Sequence, residues 1–304
     1  MKVLIEPKTK TEIYKNNIDG LIISLKDYAV QSEVYYTKEE IKKLREDNKD
    51  LEIFVNINKN FFNHEIEDLK QVLIYLDELN LNGLLFYDLA ILKLKKELNL
   101  KTDLVWYGTY MVTNYKTCNY YYNKGVKYAI LSKEITKEEI IEILNKSKII
   151  SMIEIISLPT VAFSKRKLIT NYYKNLSKPS KEKLTVVEKL TQDKYELKEE
   201  PAGTGFISKK ITNGTSIIKD LYDNNASYII IKEYGLDIID FNELLKDLKD
   251  YLKNNCNDSS FVEKYKILGD NTNFFYTETF HRVKKISRWY YGKNRIISPI
   301  RWLK

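Results

Sequence analysis

The sequence predicts an α/β protein built as a (β/α)8 barrel, TIM-barrel-like, with a small β-rich insertion between strands seven and eight. Three observations carry this reading. Eight short β-branched runs alternate with helical segments. Most of these runs are continuously apolar, as parallel strands covered on both faces are. One polar stretch, late in the chain, breaks the alternation. A doubly wound open sheet would satisfy the same strand count and stays open at this level.

The strands are expected at 3–5, 20–24, 52–57, 83–87, 103–107, 128–131, 149–156 and 228–231. Between them, 38–47, 64–80, 89–98, 114–124, 137–145 and 215–224 carry charges among apolar residues at helical spacing. Thr37-Lys38-Glu39-Glu40 and Thr136-Lys137-Glu138-Glu139 read as capping boxes, the threonine capping while the glutamate reaches back. Residues 174–213 form the expected insertion, opened by Lys178-Pro179-Ser180 and holding short strands at 184–190, 195–198 and 205–208. Gly203-Thr204-Gly205 has no helix after it, so a tight turn suits it better than a phosphate loop. An amphipathic helix follows Asp240. The barrel should occupy 1–280, leaving 281–304 as a C-terminal arm.

Composition narrows the class. No apolar run approaches the roughly 18–20 residues needed to cross a bilayer. MKVLIEPKTK has no long apolar stretch, so a cytoplasmic protein without membrane contact or secretory signal is expected. Two cysteines, Cys118 and Cys256, with no CxxC pair, argue against a disulfide framework and a zinc cage. No metal site is expected.

The net charge of +8 sits in one place. After Glu278 there are no acids, while Arg282, Lys284, Lys285, Arg288, Lys293, Arg295, Arg301 and Lys304 are basic and Trp289, Tyr290, Tyr291 and Trp302 lie among them. Cations neutralise phosphates and aromatic faces stack on unpaired bases. Arg282, Lys284, Lys285, Arg288, Trp289 and Arg295 are therefore the nucleic-acid candidates. Packing of the arm on an acidic face of this chain or a partner explains the same residues equally well.

A barrel of this kind places chemistry at the C-terminal ends of its strands. Ser24, Asn58, Asp88, Thr109, Ser132 to Glu134, Ser157 and Lys232-Glu233 fall there. Asn58, Asp88 and Glu134 are the candidate catalytic groups, although Asp88 directly before a helix is better read as its cap. The two histidines, His64 and His281, lie away from the strand ends, so a Ser-His-Asp or Cys-His mechanism has little support.

Ser164-Lys165-Arg166 followed by Leu168-Ile169 and Asn171-Tyr172 is similar to the signature block of peptidase family U32, the collagenase-like protease family, without the cysteines that help hold an iron–sulfur cluster in most members. Phe54-Val55-Asn56-Ile57-Asn58 with Asn63, Leu85-Phe86-Tyr87-Asp88, Thr113-Asn114 with Gly125, Leu131-Ser132-Lys133-Glu134-Ile135 and Phe274-Phe275-Tyr276-Thr277-Glu278-Thr279 match further blocks in order. Gln31 stands where an arginine is usual. The resemblance implies a (β/α)8 barrel with Asn58, Asn63, Asn114, Lys133 and Arg166 binding substrate. The short cysteine-free form looks most like the smaller protein of a bacterial pair linked to tRNA wobble-uridine 5-hydroxylation, with prephenate as oxygen source. It implies a hetero-oligomer with a larger paralogue, tRNA as partner and the cluster in that paralogue alone. A collagenase-like peptidase and a non-catalytic RNA-binding barrel remain alternatives.

Overall fold

Runs of Ile, Val and Leu become parallel strands here because both faces of each find apolar neighbours, the barrel interior on one side and helices on the other. The computed structural model describes residues 1–10, 17–181, 183–190 and 192–269. Its strands are β1 (Lys2–Glu6), β2 (Gly20–Leu25), β3 (Tyr35–Tyr36), β4 (Glu52–Ile57), β5 (Gly83–Phe86), β6 (Leu104–Trp106) and β7 (Tyr128–Ile130). They continue as β8 (Ile150–Ser157), β9 (Thr160–Ser164), β10 (Lys183–Val187), β11 (Lys194–Glu200), β12 (Gly203–Ser208), β13 (Thr212–Asn213) and β14 (Tyr228–Lys232).

β1 decides between the two predicted architectures. It pairs in parallel with β14, from Lys2↔Tyr228 to Glu6↔Lys232, and with β2 through Leu4↔Gly20 and Ile5↔Leu21. The ring β1-β2-β4-β5-β6-β7-β8-β14 therefore closes, and an open sheet with two free edges is excluded. Alternate strand residues fill the interior: Leu4, Ile22, Phe54, Leu85, Val105, Met152 and Ile230 form one buried cluster, with Phe54, Tyr128 and Tyr228 meeting edge to face. Their neighbours in sequence, such as Ile5, Ile23, Val55 and Phe86, face the helices in a second cluster.

The helices are α1 (Lys38–Asp47), α2 (Ile66–Glu78), α3 (Leu89–Glu97), α4 (Tyr115–Asn123), α5 (Lys137–Lys146), α6 (Leu168–Asn175), α7 (Ile218–Asp223), α8 (Phe241–Lys253) and α9 (Ser259–Lys264), of which α6 belongs to the insertion. Thr37 and Thr136 form the expected capping boxes with Glu40 and Glu139. Asp88 caps α3 by accepting from the Ala90 N–H at 2.9 Å. Asn114 caps α4, accepting from the Thr117 N–H at 2.9 Å.

The insertion between the seventh and eighth barrel strands is a four-stranded antiparallel sheet, ordered β10-β11-β12-β9, with α6 packed on β11 and β12. It begins at Thr160, earlier than the expected residue 174, because β9 pairs with β12. Gly203 follows the two-residue turn Pro201-Ala202 and begins β12 at φ +152°, and a Cβ there would lie 2.1 Å from the Ser164 carbonyl oxygen. β13 then returns to the barrel, antiparallel to the end of β8. Among the described residues no helix is long and apolar enough to cross a membrane. The arm at 281–304 and the 274–279 block lie outside the described residues.

Candidate functional site

Strand alternation predicts what stands above the apolar interior layer. Two residues beyond Leu4, Ile22, Phe54, Met152 and Ile230, the same inward parity falls on Glu6, Ser24, Asn56, Glu154 and Lys232. Two beyond Val105 it falls on Tyr107. The barrel is thus apolar in its middle and polar at its C-terminal mouth.

These groups are joined by charge. Glu154, 3% exposed, forms ion pairs with Lys133 from the β7–α5 loop and with Lys232 at 3.5 Å. Lys232 also pairs with Glu6 at 2.8 Å and donates to the Tyr107 hydroxyl at 3.3 Å. A lone buried charge would be costly, so the four charged groups hold one another in place. Burial works against the Glu154 carboxylate, but Lys133 and Lys232 hold it below the usual glutamate range. Burial likewise opposes the Lys232 ammonium, and Glu154 and Glu6 raise it well above the ordinary lysine value. Burial pushes the Tyr107 hydroxyl up to about 12.

The insertion sheet covers this cluster. Lys198 on β11 donates to the Ser32 carbonyl at 2.7 Å and pairs with Glu33 at 2.8 Å. Glu200 accepts from the Gln31 N–H at 3.0 Å, holding a non-glycine residue at φ +63°. Tyr234 donates to Glu196 at 2.6 Å and Tyr110 to the Thr160 carbonyl at 2.8 Å. Beneath the sheet lies a cavity of about 110 Å³, lined among others by Tyr107, Tyr110, Lys133, Leu158, Ile207 and Lys232. It opens into a groove of about 1030 Å³ that shares Gln31, Glu33, Tyr107, Thr109, Tyr110, Thr160 and Glu200 with it.

Few of the residues expected at the site meet there. Lys133 and Glu134 line the cavity, and Asn58 lines the groove, where its Oδ1 accepts from the Val30 N–H at 2.8 Å. Asp88 is engaged as a cap and also accepts from the Phe61 N–H at 2.9 Å. Asn63 and Asn114 are exposed at helix starts and line neither space. Arg166 is exposed on the β9–α6 loop, where its carbonyl accepts from Thr204 Oγ1 at 2.8 Å. The surrounding block docks on the insertion: Glu199 accepts from the N–H groups of Ile169 and Thr170 at the start of α6. Arg282, Lys284, Lys285, Arg288, Trp289 and Arg295 lie outside the described residues. Tyr107 and Glu154 lie inside the expected strands 103–107 and 149–156, so reading the residues after each strand misses them, while Glu6 directly follows the expected strand 3–5 and is absent from the expected set. A lone glutamate inside the run Ile153-Glu154-Ile155-Ile156 was the available signal.

Two chemistries can be tested against this geometry. Lys133 Nζ lies 3.3 Å from Ser157 Oγ, the residue types of a serine–lysine hydrolase. Ser157 has no exposed surface and lines neither space, and Lys133 donates to it while paired with Glu154. The serine is thus a buried acceptor, unreachable by a peptide. An iron–sulfur cluster needs several thiolates. Cys118 and Cys256 are both buried in the layer between strands and helices, line neither space, and have thiols that burial pushes up to about 11. They do not fit a cluster.

The class defined by this architecture is a closed parallel barrel with an antiparallel cap over an ion-paired mouth. The sequence pattern of Peptidase family U32 matches residues 7–291. The chain belongs to that family. A protein of Bacillus subtilis (strain 168) named tRNA hydroxylation protein P2 is 25% identical over 232 residues, 72% of this chain and 74% of that one. Among solved structures, a chitinase from Rhizomucor miehei is 10% identical, at a TM-score of 0.45, over 82% of this chain and 99% of its own. A family 18 chitinase from Cycas revoluta with bound (GlcNAc)3 gives 8% and 0.42, over 84% of this chain and 100% of its own. At such scores these likenesses carry no argument, and the barrel rests on its own strand pairing.

Proposed function

We propose that this chain is an accessory subunit in tRNA wobble-uridine 5-hydroxylation, acting in the cytoplasm beside a larger, cluster-bearing paralogue. The observation that carries the reading is the likeness to tRNA hydroxylation protein P2 across nearly three quarters of both chains. The mouth supports an accessory role. Its buried cations are matched by carboxylates, its serine is inaccessible, and its thiols lie elsewhere. A dicarboxylate such as prephenate would gain little from Lys133 and Lys232 while Glu154 and Glu6 neutralise them. Prephenate use is therefore assigned to the larger paralogue.

Mass spectrometry of tRNA nucleosides from a deletion strain tests the proposal. The 5-hydroxyuridine-derived nucleoside should disappear and return with the intact gene, and an unchanged nucleoside profile would overturn the reading. Removing 282–304 separates the two roles of the arm. Lost tRNA affinity with a flatter salt dependence assigns it to phosphate, the log–log salt slope falling by about 0.7–0.9 per lost contact. Lost co-purification of the larger paralogue, with tRNA binding unchanged, assigns it to the partner.

A further inference from the structure

We infer that the capped cavity is a receptor for one uncharged nucleobase, presented by a single-stranded RNA segment lying in the adjoining groove. This deepens the proposed function and rests on it for the identity of the nucleic acid.

Size is the first argument. A cavity of roughly 150 Å³ holds a benzene molecule. At about 110 Å³ and open to the groove, the space under the cap takes at most one six-membered ring with its edge in the opening, and leaves sugar and phosphate to the groove of about 1030 Å³. The second argument is charge. Lys133, Lys198 and Lys232 offer ammonium donors, and Glu6, Glu33, Glu134 and Glu200 on the same wall offer carboxylate acceptors, with Lys198 paired to Glu33 and Lys232 to Glu6. Such a wall gives an anion no net attraction. It suits a neutral ring that presents carbonyl oxygens to the lysines and a ring N–H to a carboxylate. Tyr107, Tyr110, Leu158, Pro159 and Ile207 supply the flat apolar surfaces between which an extruded base stacks.

The groove supplies the third argument. Phe62 is 55% exposed on its wall, with His64 stacked against the ring at 5.9 Å and Lys165 Nζ 4.3 Å from its centroid. An exposed aromatic pair under a cation is a platform for a neighbouring base with its phosphate. Lys165 comes from the loop after β9, so the cap and the β4–α2 loop would grip the strand between them.

The test compares a short oligouridylate with the same strand carrying one abasic residue, titrated into the full-length chain. Phosphate contacts, those of the basic tail included, are common to both strands and cancel. The intact strand should bind at least tenfold more tightly. Tyr110→Ala, at an exposed side chain of the cavity, should weaken it about tenfold while leaving the abasic strand unchanged, whereas Phe62→Ala, which removes the platform of the neighbouring base, should weaken both strands alike. Their melting temperatures confirm folding. Equal binding of the two strands overturns the inference. So does competition by a free dicarboxylate. Uridine alone binding as tightly as the strand would replace RNA with a metabolite and overturn it as well. If the deletion strain loses its nucleoside while the two strands bind equally, the inference fails and the proposed function stands. An unchanged nucleoside with abasic-sensitive binding fails the function and keeps the receptor.

Discussion

Removing one carboxylate should expose how the barrel mouth is held together. In Glu154→Ala, Lys232 keeps Glu6 at 2.8 Å, whereas Lys133 keeps only the Ser157 hydroxyl at 3.3 Å. Breaking one side of a buried pair costs about 3–5 kcal/mol, because the surviving charge stays desolvated. In a chain of this length that corresponds to a melting temperature lower by roughly 5–8 °C. The sign of the pH dependence follows. Burial already pushes Lys133 below the ordinary lysine value, and loss of Glu154 removes the largest opposing influence. The unfolded chain then binds more protons than the folded one, so the variant gains stability as pH rises toward about 10.4. Chemical denaturation at pH 7 and 9.5 measures both quantities, and Glu154→Met with Lys133→Met should recover much of the loss. A loss under about 1 kcal/mol, or a deficit identical at both pH values, would refute the reasoning.

Three further outcomes are expected. Gly203→Ala should loosen the insertion selectively, since its Cβ would meet backbone of β9, and limited proteolysis should cut the cap before the barrel. Thr136→Ala should cost about 1 kcal/mol by removing the cap of α5, read as a shifted denaturation midpoint with an unchanged slope. Burial opposes it, yet hydrogen bonds from Lys209 and Tyr234 and the charge of Lys183 bring the Glu196 carboxyl down to about 2. That clamp contributes fully above the ordinary glutamate value and is lost as pH falls toward about 2. Hydrogen exchange in β11 and β12 should therefore rise in acid before exchange in β4 and β5 does.

The fold was legible because its signals are local. Continuous apolar runs such as Gly83–Phe86 announce a strand covered on both faces, and Thr136 with Glu139 announces a helix start from four residues. β9 was not legible. Thr-Val-Ala-Phe-Ser follows β8 after two residues, is half exposed, and becomes a strand only by pairing with β12 more than forty residues later. The site was partly legible. Lys133 and Lys232 stood at expected strand ends, but their partners Glu6 and Glu154 lie inside strands and come together only when the barrel closes. Asp88 and Asn114 show the converse, since the turn where a strand gives way to a helix demands polar caps whether or not a ligand binds there. Arg166 belongs to a block whose local structure serves the insertion.

The pairing of β1 with β14 has a consequence for how the molecule is made. The first strand leaves the ribosome early and finds β2 at once, but its other neighbour begins at Tyr228. At bacterial or eukaryotic elongation rates of about 5–20 residues per second, that edge waits roughly 10–45 s for its partner. During the wait, Leu4 and Ile5 lie on an unpaired strand edge, the kind that recruits other chains. The cap sheet is synthesised within this interval, and β10, β11 and β12 pair with neighbours close in sequence, so that part of it can form first. Docking of β14 then closes the ring and brings Lys232 between Glu6 and Glu154, so the mouth is completed only after the cap above it has been made.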